Sequence, residues 1–127
     1  MSEKIKTDVL VVGSGPAGST TARYAAEHGA DVTFIERRPR VGVPVRCGEL
    51  MPSTMEIQSM FPNLEDAGAL FDTIPSDLRL RDIEGIKLVD PRGKERLFDF
   101  TGYTTDRDRF DQYLADQACK AGANLIT

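Results

Sequence analysis

From Thr7 to Val12 the chain carries a short β-branched apolar run, closed at once by Gly13-Ser14-Gly15-Pro16-Ala17-Gly18. A run of this kind, bounded by a glycine turn, predicts a buried parallel strand. Pro16 to His28 is rich in alanine and other good helix formers. Pro16 suits a first helical turn and Gly29 stands where a left-handed C-terminal residue belongs, so a helix is expected between them. Asp31 to Ile35 reads as a second strand, ending in Glu36. Strand, helix and strand within about thirty residues make a βαβ unit.

The pattern then changes. Pro39, Gly42, Pro44 and Gly48 break every periodicity after Arg37, so residues 37–52 read as an irregular loop, a place where function often resides. Ser53 to Met60 predicts a short helix, with Ser53 and Glu56 spaced as a capping box. Pro62 to Asp77 is ambiguous. Ile83 to Val89 and Glu95 to Phe100 predict a hairpin, an insertion over about 80–101, around the turn residues Asp90-Pro91-Arg92-Gly93. A helix is expected over about 106–121, with Phe110, Tyr113, Leu114, Gln117, Ala118 and Ala121 on one face and Gly122 at its end. Asn124 to Thr127 begins a further strand. A doubly wound sheet needs more strands than these before both its faces are covered, so residues 1–127 read as the N-terminal portion of a larger α/β domain.

Composition narrows the class. At 127 residues the chain has the size of one domain, and its net charge of −4 provides no basic field for nucleic acid. Cys47 and Cys119 lie far apart with no CxxC pair, which argues against a disulfide scaffold or a metal site and suits a reducing, cytoplasmic setting. The first apolar run is too short for a signal peptide or a spanning helix.

The glycine turn carries the chemistry. Gly13 permits the tight turn off the strand, Gly15 leaves room for a pyrophosphate to approach the backbone, and Gly18 lets the helix pack closely on the sheet. The helix N-terminus then offers free N–H groups and a positive dipole end to the phosphates. Glu36, eighteen residues after Gly18, can accept hydrogen bonds from ribose hydroxyls and disfavours a 2′-phosphate, which makes NADP a poor fit. The expected site is a dinucleotide site; the other account of the same glycines is a tight turn and nothing more.

Asp8 to Arg37, DVLVVGSGPAGSTTARYAAEHGADVTFIER, resembles the N-terminus of FAD enzymes related to p-hydroxybenzoate hydroxylase, where GPAGS is a frequent form of the turn. Tyr103 to Leu114, YTTDRDRFDQYL, is similar to the same families' arginine followed by a Phe-Asp helix start. Val41 to Glu49, VGVPVRCGE, resembles the archaeal geranylgeranyl reductase family, flavoenzymes that saturate isoprenoid double bonds of membrane lipids. The resemblance implies an α/β fold of Rossmann-like FAD-binding type with a hairpin insertion, FAD as cofactor, a prenyl-lipid substrate, an electron donor, and peripheral membrane contact. It assigns Ala17, Glu36, Cys47, Gly48, Leu50 and Arg107 to the FAD site, with Cys47 beside the flavin as the candidate catalytic residue; Gly13, Gly15, Pro16 and Gly18 of the turn and Arg37 after Glu36 complete the expected cofactor site. Where the family usually has glycine after the Cys-x-Glu, this chain has Leu50-Met51.

Each assignment has a plainer counterpart. Cys47 could be an inert loop side chain, and Arg107 a solvated arginine paired with Asp106 or Asp111. His28, in the last turn of a helix, reads as a structural cap. Arg37, Arg38, Arg40 and Arg46 form a small basic cluster after Glu36 that could approach phosphate or an acidic lipid head group, and its plainer reading is a solvated loop. Met51, Met55, Met60 and Phe61 read as core packing rather than an apolar channel, and Cys119 as packing too. Two other functions remain open: a flavin monooxygenase or halogenase with the same N-terminal plan, and a non-catalytic nucleotide-binding or assembly subunit whose domain a partner chain completes.

Overall fold

The computed structural model describes residues 4–65 and 74–127, which fall into two units. One consists of the chain up to Cys47 together with Arg107–Thr127; the other is Gly48–Asp106.

In the first unit, β1 (Val9–Val12), α1 (Pro16–Glu27) and β2 (Val32–Ile35) form the expected βαβ unit, and α3 (Arg107–Lys120) leads into β6 (Asn124–Ile126). The three strands make a parallel sheet in the order β1-β2-β6, with Val9 opposite Val32 and Thr33 opposite Asn124. Val32, Phe34 and Val41 pack with Ala22, Ala115, Ala118 and Ala123, and Val9, Val11 and Leu125 join the same core. Alanines at these helix positions let α1 and α3 approach the sheet and each other closely. Both helices end alike: Ala30 N–H and Gly29 N–H reach back to the carbonyls of Ala25 and Ala26, and Ala123 and Gly122 do the same to Ala118 and Cys119. His28 caps α1 as expected, its Nδ1 lying 2.8 Å from the Tyr24 carbonyl.

Three expectations need correction here. β1 is not buried on both faces: Val9 and Val11 pack inward, but Leu10 and Val12 are exposed at 57% and 77%. The buried face of α3 runs through Phe110, Ala115 and Ala118, because close helix packing selects the small side chains over Tyr113, Leu114 and Gln117. Cys119 is exposed rather than packed.

The second unit is an antiparallel sheet in the order β3-β5-β4, formed by β3 (Leu50–Pro52), β4 (Arg79–Val89) and β5 (Glu95–Thr105). The expected hairpin is present, its turn held by Asp90 Oδ1, which accepts the N–H groups of Arg92 and Lys94 at 2.9 Å each. Its strands run further than the pattern indicates, because Gly102, Tyr103 and Thr104 pair with Pro52, Met51 and Leu50. That distant pairing also corrects the reading of residues 37–52 as wholly irregular. Helix α2 (Thr54–Met60) is capped by Ser53 Oγ, which accepts the Glu56 N–H at 3.2 Å. The reciprocal half of the capping box is absent. Ser53 N–H donates instead to the Thr101 carbonyl, and Glu56 Oε1 accepts the Thr101 N–H at 2.9 Å, because β5 offers both groups better partners. Among the described residues of this unit Ile57, Ile74, Leu78, Tyr103 and Thr105 are buried, whereas Met55, Met60 and Phe61 are exposed, which overturns their reading as core. Part of the ambiguous Pro62–Asp77 stretch, residues 66–73, lies outside the described residues; a single 3-10 turn, Ser76–Leu78, follows it. Among the described residues no helix is long and apolar enough to cross a membrane.

Candidate functional site

The turn after β1 is built by backbone before any side chain takes part. Gly13 extends the strand ladder by donating to the Ile35 carbonyl at 2.7 Å, then turns at a φ of +98°, a conformation most side chains resist. Gly15 caps α1 in an extended conformation, and a Cβ there would meet nothing within 4 Å: the position faces open space at the helix N-terminus. At Gly18 the opposite holds. A Cβ would collide with the Gly13 carbonyl, so only glycine allows the helix to sit this close to the turn.

Pro16 begins α1, Ala17 is exposed beside it, and no side chain caps the helix or places a carboxylate in its first turn. The positive end of a twelve-residue helix is thereby left to an outside anion.

Glu36 follows the end of β2, where its own N–H donates to the Ile126 carbonyl at 2.8 Å. Its carboxylate is held from two sides. The Ser14 N–H and the Ser14 hydroxyl both donate to Oε2 at 3.2 Å, and the Arg38 N–H donates to Oε1 at 3.1 Å. Burial works against its ionisation, but these donors and the charge of Arg38 together hold the carboxyl below the usual glutamate value. Gly13, Glu36, Arg37 and Arg38 line one open cavity of about 580 Å³, with Val12, Ile35 and Ile126 as its apolar wall.

The basic cluster of the loop therefore divides. Arg37 and Arg38 face this cavity, whereas Arg40 is engaged by Asp108 at 3.1 Å. Arg107 is not a solvated helix-start residue: its Nε and Nη2 both donate to Asp111 Oδ1, at 3.2 and 3.0 Å, and the two side chains are only 15% and 14% exposed. Burial pushes the Asp111 carboxyl up even so, against the opposing pull of Arg107. Neither residue lines the 580 Å³ cavity. Cys47, Gly48 and Leu50 are exposed, Leu50 at the start of β3, and Cys47 does not line that cavity.

The sequence pattern gives Ser14 no role, and it places Arg38 only in the basic cluster after Glu36. Ser14 occupies a variable position of the glycine motif, and Arg38 acts partly through its backbone N–H, which no residue type announces, and partly through its charge. A hydroxyl one residue after the first glycine was the signal available for Ser14.

These residues fit a dinucleotide: an uncapped helix end, an open approach at Gly15, and an ionised acceptor at the end of β2. The comparisons agree. The chain is 39% identical over 122 residues to an uncharacterized protein in the nifH2 5′ region of Methanosarcina barkeri, covering 94% of this chain and 63% of that protein. It is 38% identical over 125 residues to the digeranylgeranylglycerophospholipid reductase of Thermoplasma acidophilum, covering 93% of this chain and 29% of the reductase. A crystal structure of a geranylgeranyl bacteriochlorophyll reductase-like protein from the same organism superposes with a TM-score of 0.73 at 35% identity, over 94% of this chain and 29% of that one. The chain thus spans under a third of the reductases it matches. The model of the FAD binding domain matches residues 6–69, half of the sequence and the whole of the glycine turn and Glu36, and the chain belongs to that family.

Proposed function

We propose that this chain forms the part of an FAD-dependent oxidoreductase that grips the ADP half of its cofactor, in an enzyme that reduces isoprenoid double bonds of lipids. The observation that carries the reading is the 38% identity to the Thermoplasma acidophilum reductase over 93% of the chain. In this reading Gly13, Gly15, Pro16, Ala17 and Gly18 receive the pyrophosphate, and Glu36 accepts ribose hydroxyls. Arg37 borders the nucleotide. Cys47, Gly48 and Leu50 belong to the flavin side of the site, and Arg107 contributes from α3. A bound reduced flavin supplies the hydride for alkene reduction. A prenyl-lipid substrate would bring the protein to a membrane surface, and a separate electron donor is required to reduce the cofactor.

The cofactor half of the reading is tested by titrating the purified chain with FAD and following the flavin visible spectrum, with FMN and NAD as controls. Saturable binding of FAD and not FMN is expected; equal binding of FMN would remove the ADP half from the site. Alkylation of Cys47 mapped by mass spectrometry should slow when FAD is added, while the exposed Cys119 should be unaffected. The reaction is tested in the protein that contains this chain. Anaerobic saturation of a geranylgeranyl lipid supports the reading, and oxygen-dependent NAD(P)H consumption without alkene reduction would replace it with a monooxygenase or halogenase.

A further inference from the structure

Ser14 is completely buried, yet its hydroxyl proton goes to a carboxylate at the edge of an open cavity. The path behind it is continuous. Ser19, also completely buried, donates its hydroxyl to the Ser14 carbonyl at 2.9 Å, which ties α1 to the turn; Ser14 in turn ties the turn to Glu36 at the end of β2. A carboxylate offers about four acceptor positions on its two oxygens. Ser14 takes two of them on Oε2 and the Arg38 N–H takes one on Oε1, so a position on Oε1 remains for an outside donor.

We propose that Ser14 is a positioning residue that locks the Glu36 carboxylate so that its remaining acceptor position meets a ribose hydroxyl of the nucleotide. The proposal rests on the nucleotide reading of the glycine turn and adds the element that sets ribose discrimination. Backbone N–H groups alone hold Glu36 at one point on each oxygen. The Ser14 hydroxyl adds a second point on Oε2, and a carboxylate fixed this way loses less freedom when it accepts a further hydrogen bond.

The test is calorimetric titration of the full chain with ADP, 2′-deoxy-ADP and 3′-deoxy-ADP as probes, in the wild type, Ser14→Ala, Ser14→Cys, Glu36→Gln and the double variant Ser14→Ala/Glu36→Gln. The wild type should prefer ADP over one of the deoxy probes by about tenfold, the worth of one charge-assisted hydrogen bond. Ser14→Ala should cut that preference to about twofold, and Ser14→Cys, which leaves no cavity at the buried site but donates weakly, should do the same. In the Glu36→Gln background the Ser14 change should leave the ratio where it was, as a pathway through Glu36 requires. The Glu36 carboxyl, followed by carbon-13 NMR, should titrate higher in both Ser14 variants. A wild-type ratio retained in Ser14→Ala or Ser14→Cys would overturn the proposal and leave the FAD reading standing. Failure of the wild type to bind ADP would take down the nucleotide reading itself, and the proposal with it.

Discussion

The Cα of Gly18, in the first turn of α1, lies so close to the carbonyl of Gly13 that a side chain at position 18 would collide with that oxygen and also touch Val11 Cγ1. The obstacle is backbone, which cannot rotate away as a side-chain end could. Gly18→Ala should therefore destabilise the chain by about 1–3 kcal/mol. A lower urea midpoint without ligand is the expected result, and an unchanged midpoint would show that the helix can shift outward at no cost.

Gly15 separates folding from binding. A methyl group at this position points into open space, so Gly15→Ala should leave thermal stability within about 0.5 kcal/mol of the wild type. FAD affinity should nevertheless fall by about tenfold or more, because the methyl occupies the approach of the pyrophosphate. Affinity equal to the wild type would place the phosphates elsewhere.

Glu36 has a carboxyl held below its usual value, which fixes the sign of its pH dependence. Its contribution to stability is fully present above the unfolded glutamate value of about 4.3 and is lost as the pH falls through the lower folded value. The stability gap between the wild type and Glu36→Gln should be constant from neutral pH down to about 5 and close below that. Urea denaturation across that range measures it; a gap that persists unchanged at the acid end would mean the carboxylate is not held by these donors.

Asp111 behaves in the opposite sense. Burial raises its carboxyl, so its ionisation costs stability as the pH rises from the unfolded aspartate value through the raised folded one. Removing it is still harmful, since Arg107 at 15% exposure would lose its partner. Asp111→Ala should cost about 3 kcal/mol at neutral pH, the low end for a buried pair because both side chains keep some exposure. A loss below about 1 kcal/mol would put the pair in the class of solvent-exposed bridges.

The amino-acid sequence by itself determined the βαβ unit, the glycine turn, the hairpin and the last helix, because each is written in contacts between near neighbours. β-branched residues before glycine, alanines after Pro16 and an aspartate opening the turn before Gly93 act within a few residues of themselves. Tertiary structure alone decided the rest. Leu50-Met51-Pro52 becomes a strand only because Gly102, Tyr103 and Thr104 come to lie beside it, and Glu56 leaves its capping box for Thr101, forty-five residues away. Ala115 displaces larger neighbours from the buried face of α3 because α1 lies against it. At the site, Glu36 was legible from its distance to the glycines, but Ser14 was not. Its role depends on one hydroxyl meeting one carboxylate across twenty-two residues, and such a meeting is fixed by the parallel pairing of β1 with β2.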